Sequence, residues 1–138
     1  EKEERKYDAL ILASLIEKEV ILPEEKLIVS DILKKRLEKD MKLEVDASVV
    51  YAKCDGYYYF CKERDLGGKD LFIDSPYNTY RFKGLPPSPI SNPGIDSLRA
   101  VANPTKNEFY FYFTTKEGKA IFSKTKEEHQ KKVNIFLK

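Results

Sequence analysis

Two glutamates, Glu17 and Glu19, close the most apolar stretch of the chain, and no other residues are better placed by their surroundings for acid–base chemistry. The stretch reads Leu10-Ile11-Leu12-Ala13-Ser14-Leu15-Ile16 and passes, without Gly or Pro, into Glu17-Lys18-Glu19-Val20. Such a run predicts a helix buried on most of its circumference. Glu19 lies four residues after Leu15 and three after Ile16, so on a helix it shares their apolar face. Glu17 follows Ala13 by four and Leu10 by seven and stays near packed surface, while Lys18 turns elsewhere. A carboxyl group held against apolar side chains resists ionisation and remains protonated near neutral pH. That is the state a general acid requires. The plainer alternative is that both glutamates simply end a helix at the domain surface.

The elements that would hold these acids follow from the pattern around them. The first helix is predicted from about Lys6 to Leu22, where Pro23 stops it and opens a second helix with Glu24 and Glu25 in its first turn. Val29, Ile32, Leu33 and Leu37 form the inward stripe of that second helix, with Glu25 at one end and Arg36 at the other. Glu25 and Arg36 are therefore candidate cleft residues, or else a helix-start charge and a snorkelling rim residue. Met41 to Val45 alternates like a short strand, and Asp46 precedes a short helix as an N-cap. A cluster from Tyr57 to Phe60 reads as strand or packed loop, Glu63 to Leu66 as a helical turn ended by Gly67-Gly68. Between Asp74 and Gly94 fall five of the seven prolines, interleaved with Tyr77-Asn78-Thr79-Tyr80. A segment of that length is expected to be an ordered, functional loop. Its aromatic and amide side chains suit the faces and hydroxyls of sugars, and a linker between two domains is the alternative. Asp96 or Ser97 is expected to cap a helix ending at Ala102, Glu108 to Thr115 is the strongest predicted strand, and Ala120-Ile121-Phe122 its return. Thr125, with Glu128 at capping-box spacing, starts a closing helix. The expected architecture is α+β: one domain over 1–138 in which a few helices pack with a short mixed sheet or β-hairpin and a long Pro-rich loop lines the cleft.

Composition removes several function classes. The 138 residues suffice for one domain with a core. The 25 basic and 23 acidic residues nearly cancel at +2, which gives nucleic-acid binding no electrostatic support. The longest apolar run, about seven residues, is far below the ~20 of a membrane span, and no secretory signal is present. The chain opens on Glu1 and enters a helix almost at once, as an excised domain from which a targeting or anchoring segment had been removed would. Cys54 and Cys61 without a neighbouring histidine make a poor zinc site and form either a short-loop disulfide or two free thiols. With His129 the single histidine, nucleophilic triads have little material.

Taken in order, these residues resemble a known family, the MltG-type or YceG-like endolytic peptidoglycan transglycosylases. The matching pieces are Ala13-Ser14-Leu15-Ile16-Glu17-Lys18-Glu19, Glu25, Arg36-Leu37, Met41-Lys42-Leu43, Asp46, Val49-Val50-Tyr51 and Tyr77-Asn78-Thr79-Tyr80. They continue through Gly84-Leu85-Pro86-Pro87, Pro89 to Gly94, Ser97-Leu98, Asn103-Pro104, Tyr110 to Phe113 and Glu128-His129. The chain departs from the family pattern at Ser88, Val20 and Ala120, none of which removes the acid. The resemblance implies cleavage of cell-wall glycan strands between N-acetylmuramic acid and N-acetylglucosamine, leaving a 1,6-anhydro end. It assigns the catalytic role to Glu19, the second acid of the Glu-Lys-Glu motif. Glu25 and Arg36 are expected to line or brace the cleft and Tyr77, Asn78, Thr79 and Tyr80 to hold sugar, with Asp46 either a structural cap or a site residue. No metal or cofactor is implied. The expected partners are peptidoglycan strands, with wall-synthesis proteins as further candidates. The expected location is the outer face of the bacterial cell membrane, held by an N-terminal anchor. The rival readings are a muramidase that uses water, with Glu17 or Glu25 as the second carboxylate, a glycan-binding module without catalysis, and a protein-interaction domain.

Overall fold

Helix α1 spans Lys2–Glu19, and its apolar run is the centre of the packing: Ile11, Leu12, Ala13, Ser14, Leu15 and Ile16 are buried consecutively. Six buried positions in a row cannot share one stripe of a helix, so neighbours must cover α1 from several sides. Helix α2, Pro23–Glu38, supplies Val29, Ile32 and Leu33, and a later helix, called α4 below, supplies Ala100 and Val101. Pro23 takes the first turn of α2, where a missing N–H costs nothing. The structure, a computed structural model, describes residues 2–137, so the expected unit of 1–138 extends one residue beyond it at each end.

After α2 the chain does not form the expected strand. Glu44 adopts a left-handed backbone with φ 52°, which breaks the extended alternation of Met41 to Val45. The segment instead runs along the Pro-rich loop, with Glu44 N donating to Thr79 O at 3.2 Å and Val45 N to Thr79 Oγ1 at 2.8 Å. Leu43 and Val45 still reach the core. Helix α3, Asp46–Lys53, follows, but its N-cap residue is Val45, and no side chain caps it.

The loop after α3 carries a disulfide between Cys54 and Cys61, with Cα atoms 5.5 Å apart. A 3-10 turn at Tyr58–Phe60 lies inside it, and a second 3-10 turn at Gly68–Phe72 follows the Gly67-Gly68 pair rather than preceding it. Asp70 holds that second turn by accepting from Gly67 N at 2.7 Å and from Lys53 Nζ at 3.0 Å. Helix α4, Ile95–Ala102, starts at Gly94, with neither Asp96 nor Ser97 as a side-chain cap.

Strands β1, Phe111–Thr114, and β2, Ala120–Ser123, form an antiparallel hairpin in the register Phe111↔Ser123 to Thr114↔Ala120. The expected sheet is thus two-stranded, and β1 is shorter than its apolar run. Before Phe111 the backbone is drawn toward α2, where Arg36 Nε donates to Tyr110 O at 2.8 Å. Helix α5, Lys126–Phe136, closes the chain; Thr125 Oγ1 accepts from Glu128 N at 3.2 Å, while Glu128 Oε2 accepts from Lys124 N at 3.1 Å. The arrangement among the described residues is α+β, five helices with one β-hairpin.

Candidate functional site

Glu19 is the last residue of α1, and its side chain leaves the core for the floor of a groove of about 520 Å³. Arg36, Glu44, Asp46 and Tyr80 line one side of this groove, and the hairpin residues Phe111, Tyr112 and Phe113 line the other; Lys126, His129 and Gln130 of α5 complete the wall. The Tyr112 hydroxyl donates to Glu19 Oε1 at 2.6 Å. Burial raises the Glu19 carboxyl to a pKa of about 7; the Tyr112 bond works in the opposite direction, and the Asp46 charge adds to the rise. Burial wins because the single hydrogen bond cannot replace the water a carboxylate loses.

The tyrosine bond also distinguishes the two oxygens. An oxygen that accepts from Tyr112 is the carbonyl oxygen of a neutral acid, so the acidic proton belongs on Oε2. Below a pH of about 7 Glu19 is mostly protonated, with one oxygen held by Tyr112 and the proton on the other.

Glu17, two residues earlier on the same helix, is in the opposite state. Its Oε1 accepts from Gly94 N at 2.9 Å, Ser97 Oγ at 2.7 Å and Lys26 Nζ at 3.3 Å. The Gly94 bond, followed by those of Ser97 and Lys26, holds its pKa below the usual carboxylate range. Glu17 fastens α4 and α2 to α1 and does not enter the groove around Glu19. Two carboxylates of one turn are thus shifted in opposite directions, Glu17 downward by its partners and Glu19 upward by burial.

The other expected site residues separate in the same way. Glu25 is buried, with Oε2 accepting from Ala120 N at 2.8 Å, and it joins the hairpin to α2 away from the Glu19 groove. Glu25 is therefore not a groove-lining or sugar-binding residue, which corrects that part of the expectation; it ties the hairpin wall of the groove to α2. Arg36 does line the groove, but it is largely occupied, giving Nε to Tyr110 O and Nη1 to Lys42 O, each at 2.8 Å. Its guanidinium also lies 4.9 Å from the centroid of the Phe111 ring.

Asn78 and Thr79, expected to hold sugar, are fully buried, which corrects that assignment. Asn78 Nδ2 donates to Leu71 O at 3.0 Å and to Ile73 O at 2.9 Å, and its Oδ1 accepts from Tyr80 N at 3.0 Å. Thr79 Oγ1 is shared between Val45 and Ser48. Tyr77 packs against Tyr51, with centroids 4.8 Å apart, and its hydroxyl lies 2.6 Å from Ser88 Oγ. Of the four residues of this motif, the Glu19 groove receives Tyr80, whose hydroxyl donates to Asp46. Burial, then the Asp46 bond, pushes the Tyr80 hydroxyl above its ordinary pKa, so it remains a donor. The rest of the Pro-rich loop is fastened to α1 instead, through Ile90 N to Ser14 Oγ at 3.0 Å and Ser91 Oγ to Ser14 O at 2.9 Å. Its expected place along the Glu19 groove is thus reduced to Tyr80.

Tyr112 and His129 were not singled out as site residues by sequence. A hydroxyl-bearing ring within the run Phe109-Tyr110-Phe111-Tyr112-Phe113 was the available signal for Tyr112, since a buried Tyr seeks a partner for its oxygen. His129 packs beside Phe111 and Phe113 at 5.5 and 5.7 Å between centroids, and burial, followed by the nearby Arg36 charge, lowers its pKa. Among the described residues no three His, Cys, Asp or Glu side chains gather as a metal site would need.

A half-buried carboxyl group with its pKa raised to about 7, at an aromatic-walled groove, marks the candidate site of this α+β domain. The chain belongs to the YceG-like family, whose model matches residues 1–135. It is 40% identical over 125 residues to the endolytic murein transglycosylase of Bacillus subtilis, which covers 91% of this chain and 33% of that relative. It is 32% identical over 127 residues to the endolytic murein transglycosylase of Streptococcus pneumoniae, covering 91% of this chain and 23% of that relative. A crystal structure of a YceG-like protein from Listeria monocytogenes superposes with a TM-score of 0.81 at 39% identity, covering 94% of this chain and 41% of the other. The chain therefore spans well under half the length of each of these proteins. The motif resemblance and the family match agree.

Proposed function

We propose that this chain carries the catalytic part of an endolytic lytic transglycosylase that cuts peptidoglycan strands between N-acetylmuramic acid and N-acetylglucosamine. The observation that supports this best is Glu19 itself, a groove-lining carboxyl with its pKa raised to about 7 and its Oε1 held by Tyr112. Glu19 Oε2 gives its proton to the glycosidic oxygen as the bond from that oxygen to the muramoyl anomeric carbon breaks. The resulting carboxylate takes the proton of the muramoyl 6-hydroxyl, whose oxygen bonds to the same carbon. The proton is thereby returned to Glu19, the 1,6-anhydro ring is closed, and no water is consumed. Tyr112 holds the acid in one orientation through both steps. Tyr80 and the groove-lining edges of Phe111 and Phe113 are available to meet the sugars, with Arg36 fixed behind them by its own bonds.

A hydrolytic muramidase is the second reading, and Asp46 is what favours it. Glu17 and Glu25 are committed to structural bonds, whereas Asp46 lines the groove and its charge reaches Glu19. A base-like carboxylate and a water would make that reaction. Mass spectrometry of digested, peptide-free strands separates the two: lytic cleavage gives ends lacking one water relative to the reducing ends that hydrolysis gives. Anhydro ends from the wild-type protein are the expected result.

The site makes a further prediction. Tyr112→Phe keeps the ring and removes the bond that favours the ionised form of Glu19, so the Glu19 pKa rises. The high-pH limb of the rate profile is expected to move to higher pH, while the maximal rate falls roughly tenfold as the acid loses its orientation. An unmoved limb would disconnect Tyr112 from the acid.

The polymer lies outside the cell, and the proposal places the protein at the outer face of the bacterial cell membrane, held by an N-terminal anchor as the family resemblance implies. The Cys54–Cys61 disulfide supports that oxidising setting.

A further inference from the structure

On the far side of the α1 terminus from Glu19 is a second hollow, of about 390 Å³, that the reaction above leaves unused. Its walls are the 56–60 loop, the side chains of Glu17 and Lys18, and Ile90 to Asn92 of the Pro-rich segment. The loop is unusual in what it displays. Tyr57 is 68% exposed, Tyr59 82% and Phe60 86%, although each loses favourable burial by standing in water. Contiguous exposed rings of this kind mark a binding surface.

The loop is also held in place. The Cys54–Cys61 disulfide closes it, the 3-10 turn at Tyr58–Phe60 fixes its crest, and Gly56 at φ 80° makes the turn into it. Tyr58 is pinned by two cations, with Lys18 Nζ 4.7 Å and the Arg64 guanidinium carbon 4.9 Å from its ring centroid. Rings presented by a closed loop bind without first being ordered.

The composition of the hollow decides the class of ligand. Flat apolar faces stand beside short polar groups, Ser91 and Asn92, and the cation Lys18. The Glu17 carboxylate in the same wall is already bonded to Gly94, Ser97 and Lys26, and Arg64 stands just outside, over the Tyr58 ring. A pyranose matches that division, with a face of C–H bonds to lie on a ring and a rim of hydroxyls and amides to meet polar side chains. A muramoyl residue adds a lactyl carboxylate, complementary to Lys18 and Arg64. A purely apolar partner face would leave Asn92 and the Lys18 ammonium without the polar partners a sugar offers.

We propose that the Tyr57–Phe60 loop is a saccharide platform that holds the glycan strand at a second point, beyond the bond being cut. The inference rests on the proposed function for the identity of the polymer, and it makes the protein grip a strand on both sides of the α1 terminus.

The test is the affinity of peptide-free wall glycan strands, measured by calorimetry on the Glu19→Gln background, with and without Tyr59→Ala and Phe60→Ala together. The dissociation constant is expected to rise roughly five- to tenfold, with the Tm unchanged because both rings are already in solvent. Asn92→Ala on the same background is expected to weaken binding severalfold. Unchanged affinity in both variants would overturn the platform and leave the exposed rings to a protein partner. Because binding is read without turnover, the outcome is separate from the cleavage assay. Hydrolytic products, or none, would defeat the proposed reaction while leaving a platform-dependent affinity in place.

Discussion

Glu19→Gln protein is expected to release anhydro-muramoyl ends from isolated glycan strands at no more than about one hundredth of the wild-type rate, because the acid proposed to protonate the glycosidic oxygen is gone. Glutamine keeps the shape of the side chain and still accepts the Tyr112 bond, so the loss reports on chemistry rather than on packing. The wild-type rate should fall as pH rises through about 7, since the acid must start protonated. Near-normal output of anhydro ends from the variant would remove Glu19 from the role.

The same substitution carries an opposite prediction for stability. The folded-state pKa of Glu19 lies near 7, above its ordinary value of 4.5, so between these values the native protein binds more protons than the unfolded chain. Stability therefore falls as pH rises across that window, and above pH 7 the folded state carries the full cost of an ionised, half-buried carboxylate. Glu19→Gln abolishes this cost. At pH 8 the variant should be more stable than wild type by about 2–3 kcal/mol, a value reduced for the side chain's partial contact with the groove. At pH 4 the two should be nearly equal. Denaturant unfolding at both values tests this, and a variant less stable at pH 8 would contradict the burial of the acid. An acid that destabilises its own fold in order to remain protonated is the pattern expected where function and stability conflict.

Asn78→Ala is expected to lower stability by about 3 kcal/mol and the Tm by roughly 10 °C. The side chain is completely buried, and its removal orphans Leu71 O, Ile73 O and Tyr80 N together while leaving a void. Asn78 is the internal tie that lets residues 71–80 fold back on themselves and deliver the Tyr80 hydroxyl to Asp46. Well below the new midpoint the rate should fall only severalfold, through a loosened Tyr80. A variant that kept its Tm and lost glycan affinity would instead assign Asn78 to sugar contact. Thermal unfolding followed by circular dichroism, beside a rate at low temperature, gives both readings.

What local order could specify was legible before any coordinates. The buried run of α1 and the apolar face that receives Glu19 follow from spacing within two turns of helix, because a helix repeats its faces on that scale. The Pro23 start of α2, the hairpin after Lys116 and the Thr125 cap likewise depend on residues within a few positions of one another. The family, too, was readable from motifs in order. Met41 to Val45 marks the limit: its alternation suited a strand, but Glu44 turned left-handed once Thr79 offered it and Val45 backbone and side-chain partners.

The sequence by itself determined that an acid would be pressed against a greasy helix face. Which acid became the neutral one was a tertiary decision. Glu17 met Gly94, Ser97 and Lys26, whereas Glu19 met Tyr112, 93 residues away, and little else to replace its water. Tertiary structure likewise turned Asn78 inward, carried Glu25 to the hairpin, closed Cys54 onto Cys61 and brought Asp46 beside Tyr80. The reason is common to all of them. Periodicity tells a side chain which face it is on, but the partner of a buried polar group is whatever distant segment the packing brings within about 3 Å, and that partner sets its charge and its task.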